Sequence, residues 1–134
     1  MITGFDHVAI PMAAVDEMLA FYKAMGFRIS DDYGGRVYSV HCGNNKINLH
    51  TPQIWQSAKF TLRGYSAQPG CGDFCFVWAG SEKLLHNTLA KLDAVIEEGP
   101  VERLGGRNGG QDTGISVYTR DPDGNLLEFI IYPD

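Results

Sequence analysis

The chain has no long hydrophobic run, no concentration of basic charge and almost no cysteine. Near its C-terminus the apolar stretches Leu126-Leu127 and Phe129-Ile130-Ile131 are split by Glu128, far short of the roughly 20 apolar residues a bilayer requires. No transmembrane helix is therefore expected. Asp6 stands within the first few residues, and no basic segment followed by an apolar one precedes it, so a secretory leader is not expected either. Eleven basic residues are scattered among sixteen acidic ones, for a net charge of −5. That balance excludes the basic stripe of a nucleic-acid surface and disfavours anionic membranes. The three cysteines, Cys42, Cys71 and Cys75, are odd in number and sparse. They suit a reducing compartment, so a soluble, cytoplasmic chain is expected. Cys71 and Cys75 lack the second pair that a structural zinc site needs. The glycine-rich run Gly105-Gly106-Arg107-Asn108-Gly109-Gly110 is followed by neither Lys-Ser nor Lys-Thr, which excludes a phosphate-binding loop. It reads as a mobile hairpin tip, with an active-site lid as the functional alternative.

What remains is an ordinary globular composition: 134 residues, 44% apolar and 20% charged, enough for one domain with a proper core. Phe5 to Ile10 reads as a strand ended by Pro11. Val15, Met18, Leu19, Tyr22 and Met25 recur at helical spacing, and Gly26 suits the left-handed position after a helix. Phe27-Arg28-Ile29, Val37 to Val40 and Ile47 to His50 read as strands, the last two around Gly43-Asn44-Asn45. Residues 52 to 72 read as a connection, with a short helical piece around Trp55 to Phe60. Asp73 to Trp78 is a strand, and Ser81 is placed to cap a helix whose apolar face is Leu85, Leu89, Leu92 and Ile96. Val101 to Leu104, Ile115 to Thr119 and Leu126 to Tyr132 follow as strands, with Asp121-Pro122-Asp123-Gly124 a strong turn before the last. Strand, helix, strand, strand, strand occurs twice.

The repeat brings out four polar positions. Laying the opening strands on each other pairs His7 with Asp73, and laying the closing hairpins on each other pairs His50 with Glu128. All four types bind divalent metals, and each interrupts a largely apolar strand. A carboxylate on a strand with apolar residues on both faces is costly unless paired or coordinated, which singles out Glu128. Structural readings stand beside this one. A strand histidine is often a hydrogen-bonded core residue, Glu128 could pair with Arg120 or Arg103, and Asp73 could merely open its strand. His41, at a turn, and His86, in a helix, read as surface residues.

Several segments resemble the vicinal oxygen chelate (glyoxalase, bleomycin resistance, dioxygenase) superfamily. They are Phe5-Asp6-His7-Val8-Ala9-Ile10, Phe21-Tyr22 with Gly26-Phe27, Lys46-Ile47-Asn48-Leu49-His50, Gly99-Pro100-Val101, and above all the closing Arg120 to Phe129. The resemblance covers essentially the whole chain and is closest to the subgroup called glyoxalase domain-containing protein 5 and to bacterial lactoylglutathione-lyase-like proteins. It implies an α+β fold of two tandem βαβββ modules forming a curled, mixed-sheet cleft. One domain over residues 1–134 is expected, with module one about 1–51, a connection about 52–72 and module two about 73–134. It also implies a homodimer and a divalent metal (Zn, Ni, Co, Mn or Fe) held by His7, His50, Asp73 and Glu128. His7 and Glu128 match the family's first and fourth ligand positions. His50 stands where glyoxalase I usually has Glu, and Asp73 where a His is common.

Three functions are expected to compete. The first is a metal-dependent lyase or isomerase acting on a small substrate with adjacent oxygens, with Glu128 also moving the proton. A non-haem Fe(II) dioxygenase would use His7, Asp73 and Glu128 as its three ligands. A metal-free sequestering protein would instead need aromatic walls such as Trp55, Tyr65, Trp78 and Tyr118.

Overall fold

Helix α1 (Val15–Ala24) stops for a reason visible in its last turn. Gly26 has φ +103°, a conformation that residues with a Cβ avoid. There its N–H donates to the Lys23 carbonyl and the next N–H, of Phe27, reaches back to the Tyr22 carbonyl. The Phe27 ring then packs on the Tyr22 ring, 5.7 Å between centroids. This is the Schellman arrangement with its apolar contact, and it turns the chain into the next strand.

The computed structural model describes all 134 residues, Met1–Asp134. Contacts divide them into two units: Met1–Gly72 with Pro122–Gly124, and Asp73–Asp121 with Asn125–Asp134. The first unit contains β1 (His7–Pro11), α1, β2 (Arg28–Asp31), β3 (Val37–Cys42), β4 (Asn45–His50) and the one-turn helix α2 (Pro52–Trp55). Its four strands form one mixed sheet in the order β1-β4-β3-β2, with β1 parallel to β4 and the other pairs antiparallel. The second unit contains β5 (Asp73–Val77), α3 (Glu82–Lys91), β6 (Glu98–Leu104), β7 (Thr113–Arg120) and β8 (Leu126–Ile131). Its sheet repeats the pattern, β5-β8-β7-β6, with β5 parallel to β8. The fold is α+β, two βαβββ modules. No helix is long and apolar enough to cross a membrane.

Both helices form by amphipathic pattern. Met18, Phe21 and Tyr22 of α1 are buried, as are Ile10, Val40, Ile47 and Leu49 on one face of the first sheet. In the second unit Leu85 and Leu89 are wholly buried, with Phe76, Val117, Leu127 and Phe129. Each such side chain contributes about 1.5–3 kcal/mol by leaving water. The Ser81 Oγ accepts from the Leu84 N–H at 3.1 Å, capping α3 as expected. Helix α2 lies earlier than the Trp55 to Phe60 piece expected from sequence, because Pro52 is pre-set for the first turn of a helix.

The closing signature is a built turn. Asp121, buried, accepts from the Asn125 N–H at 3.0 Å and from the Asn125 side-chain amide at 2.8 Å. Asp123, at the tip that belongs to the first unit, accepts from the backbone N–H groups of Ala13 and Ala14, both at 2.8 Å. Ala14 is the N-cap of α1 and Ala13 precedes it; an alanine N-cap has no side chain to bond the helix start, and Asp123 satisfies both N–H groups.

The glycine-rich segment after β6 has contacts at its ends. Arg107 Nε donates to Asp112 at 2.5 Å, and its guanidinium lies 4.1 Å over the Tyr132 ring. Asn108, Gly109 and Gly110 take left-handed conformations between those anchors. An ion pair and a cation–π contact thus anchor the segment expected to form a hairpin tip.

Candidate functional site

Strand register decides which side chains can act together. In the second sheet Asp73 lies opposite Leu126 and Cys75 opposite Glu128. Paired residues point the same way and alternate residues share a face, so Asp73, Cys75 and Glu128 stand on one face, Asp73 and Glu128 two residues apart along adjacent strands. β8 is central, between β5 and β7. The Glu128 carboxylate is half-buried, and its Oε1 accepts from the fully buried Ser116 hydroxyl at 2.6 Å. The arginines considered as its partners are engaged elsewhere. Arg120 bonds Glu97 at 3.2 Å, and Arg103 donates to the Tyr118 hydroxyl at 3.0 Å with its guanidinium 5.5 Å from that ring's centroid. Cys75 shares a hydrogen bond with Glu128. Burial of the sulfur, then the Glu128 charge, push this thiol up to about 12. It therefore stays protonated and points a weak donor at the carboxylate.

In the first sheet His7 lies opposite Lys46, and Pro11 opposite His50. His7 and His50 share a face but stand four residues apart along the strands, roughly 13 Å at the usual rise per residue. The His7 ring is partly exposed, and its Nδ1 is 2.6 Å from Asp6 Oδ1. A proton on Nδ1 makes that a hydrogen bond and leaves the Nε2 lone pair free, the arrangement in which a carboxylate orients a ligand histidine. His50 instead packs edge-on against Phe60, 5.1 Å between ring centroids.

The register also corrects the repeat equivalence. With His7 equivalent to Asp73, the residues two places along are Ala9 and Cys75, and their partners are Asn48 and Glu128. Asn48, not His50, is the first-sheet counterpart of Glu128, and His50 corresponds to Ile130. The structure gathers no group of three or more His, Cys, Asp or Glu side chains that could hold a metal ion, so Asp73 and Glu128 are brought to one face without a third ligand beside them. Two helpers escaped the sequence reading: Asp6, legible as a carboxylate beside His7, and Ser116, which no local signal marks.

Burial holds the His50 imidazole below its ordinary value of 6.5. The unfolded chain then takes up a proton first as pH falls. The contribution to stability is whole above about 6.5 and is lost as pH drops through the lowered folded value. Thermal melts from pH 7.5 to 5 are expected to fall more steeply for wild type than for His50→Gln. Parallel curves would remove His50 from that account.

Of the aromatic residues considered as cleft walls, Trp55, Trp78 and Tyr118 each make a side-chain hydrogen bond. Trp55 Nε1 donates to the Met12 carbonyl at 3.0 Å, and Trp78 Nε1 to the Ser81 carbonyl at 3.1 Å. Trp78 also packs edge-on against Phe129, and Tyr65 is wholly exposed.

Comparison with known proteins agrees with this architecture. The model of the Glyoxalase/Bleomycin resistance protein/Dioxygenase superfamily matches residues 4–129. The chain is 32% identical over 133 residues to the glyoxalase domain-containing protein RDO1 of Mycosarcoma maydis, covering 99% of this chain and 70% of that one. It is 31% identical over 135 residues to the virulence protein STM3117 of Salmonella typhimurium, covering 98% of this chain and 86% of the relative. The crystal structure of STM3117 superposes with a TM-score of 0.83 at 28% identity, covering 99% of each chain. A lactoylglutathione lyase from Agrobacterium tumefaciens shares the fold, with a TM-score of 0.69 at 21% identity, covering 98% of this chain and 95% of that one. The chain belongs to the glyoxalase/bleomycin resistance protein/dioxygenase superfamily.

Proposed function

We propose that this chain is a metal-dependent lyase or isomerase that moves a proton between adjacent carbons of a small substrate with vicinal oxygens. The observation that carries the reading is Glu128: a half-buried carboxylate on a central strand, fixed through one oxygen by Ser116 and matched to no arginine. A purely structural carboxylate there would call for a cation.

The donor set fits a divalent transition metal, since a carboxylate-oriented imidazole and two carboxylates mix borderline and hard donors. His7 through Nε2, with Asp73 and Glu128, would hold it, and His50 drops out of the proposed set on its register. When bound, the metal would supply Lewis acidity toward the substrate's two oxygens. Glu128 does the proton work: Ser116 fixes Oε1, so Oε2 is the atom that takes the proton from one carbon and returns it to the next. Asp6 keeps the His7 ring in one tautomer and orientation. The Cys75 thiol, kept protonated, donates toward Glu128 and is no nucleophile. By the family's habit the working form is a homodimer.

The Fe(II) dioxygenase reading uses the same three residues and differs in its demand for O₂. Protein loaded with Zn²⁺, Ni²⁺, Co²⁺ or Fe²⁺ separates them when given the hemithioacetal of methylglyoxal and glutathione, and a catechol in an oxygen electrode. Isomerisation that proceeds without O₂ is the expected result. Catechol loss matched by O₂ uptake, with iron only, would replace this reading by the dioxygenase one.

A further inference from the structure

The face of the first sheet that carries His7 holds chemistry that proton transfer does not use. Its register sets His7, Lys46, His41 and Arg28 in one row across the four strands. The next row is Ala9, Asn48, Ser39 and Ser30. In a chain of net charge −5, two cations and two imidazoles thus share a single row.

Lys46 is half-buried, and its ammonium donates to the Ser39 hydroxyl at 3.2 Å with no carboxylate at ion-pair distance. The acidic group that feels the Lys46 charge, Asp32, lies outside ion-pair distance and is hydrogen-bonded to serines. Asp32 Oδ2 accepts from Ser30 at 2.8 Å and from Ser39 at 3.4 Å, and the Ser30 bond leads the causes that hold its carboxyl below the usual range. Because Ser30 gives its proton to Asp32, His41 Nε2, 2.7 Å from Ser30 Oγ, must be the donor there. Ser39 shares its own proton between Asp32 and Asn48 Oδ1, at 3.2 Å from the latter. The serines and His41 therefore hold one another in a directed network, and two of Lys46's three ammonium protons are left without a protein acceptor. Ala9, beside Asn48 in the next row, is small and exposed, so no bulky side chain covers the face there.

We propose that Lys46 anchors an anionic group of the substrate, a carboxylate or a phosphate, on this open face. The inference rests on the vicinal-oxygen reading above and adds a charge to the substrate class. His7 and Lys46 stand on neighbouring strands about 4.8 Å apart, so a molecule of a few heavy atoms can meet both. A strongly hydrated cation with unused donors, held upright by a buried serine, is a point-charge receptor for oxygen anions.

Calorimetric titration of the protein as purified tests this with lactate, inorganic phosphate and 1,2-propanediol, which is lactate with its carboxylate replaced by an alcohol. Wild type, Lys46→Met and Lys46→Arg are compared after matching their melting curves, and zinc stoichiometry is read in parallel. One anion is expected to bind wild type, roughly 10- to 100-fold less tightly to Lys46→Met, with most of the affinity restored in Lys46→Arg. The neutral diol is expected not to compete, and zinc stoichiometry to stay unchanged. Whether lactate or phosphate binds identifies the anion. Equal binding to wild type and Lys46→Met, or no binding of either anion, overturns the proposal. Failure to take up zinc, with Lys46-dependent anion binding intact, would count against the metal reading alone.

Discussion

Glu128→Gln is expected to lower kcat by about 10²–10⁴, the range that a positioned general base contributes, with a much smaller change in KM. The substitution keeps the length, the half-burial and an oxygen able to accept from Ser116, which now sits 2.6 Å from Oε1. What it removes is the basic oxygen and one negative charge. A fall in kcat with KM nearly held, in protein whose metal content equals that of wild type, means that the group acts in the proton-transfer step rather than in substrate binding or metal retention. Ser116→Ala is the companion. It leaves the carboxylate but releases its orientation, so a loss in kcat of roughly tenfold is expected, smaller than for Glu128→Gln because the base itself survives. Full activity in Glu128→Gln would remove Glu128 from the chemistry.

Asp123→Ala is expected to be the most destabilising of the exposed-turn substitutions, by about 2 kcal/mol, since it deletes an acceptor serving two helix-start N–H groups. At this chain length that lowers the melting temperature by roughly 5–10 °C. Both Ala13 and Ala14 N–H groups lie 2.8 Å from its oxygens, and α1 has no cap of its own to substitute. Asp123→Asn keeps one acceptor and loses the charge that complements the helix dipole, so it should fall about midway. A melting temperature unchanged in Asp123→Ala would show that water replaces the carboxylate at no cost.

These two residues also mark where the sequence could and could not be read. The Asp121-Pro122-Asp123-Gly124 turn was plain from composition, yet its contact with Ala13 and Ala14 joins residues more than a hundred positions apart. No local pattern encodes such a partner. The doubled βαβββ order was equally plain, because strand alternation, the Ser81 cap and the Gly26 stop are local signals. Register was not. The hairpin after β3 turns in two residues, Gly43-Asn44, whereas the one after β7 takes five, Asp121 to Asn125. Laying Gly43-Asn44-Asn45 on Asp121-Pro122-Asp123 pairs His50 with Glu128, whereas the ladders pair Asn48 with it, so β4 slides two places against β8. A one-residue slip would have turned Glu128 to the other face and betrayed itself, but a two-residue slip preserves the face and passes unnoticed. That is why His50 was matched to Glu128, when the ladder matches Asn48 to it. Lys46 carries no local signal either, since only the four-strand row shows its company.

The central claim, a metal held by His7, Asp73 and Glu128, is tested most directly by metal content. Protein purified without chelator or affinity metal would be analysed by mass spectrometry as wild type, His7→Ala, Glu128→Ala and His50→Ala. About one equivalent of a transition metal per site is predicted in wild type and His50→Ala, with most of it lost in His7→Ala and Glu128→Ala. Metal retained in both of those variants, or none taken up by wild type from any candidate ion, would contradict the account.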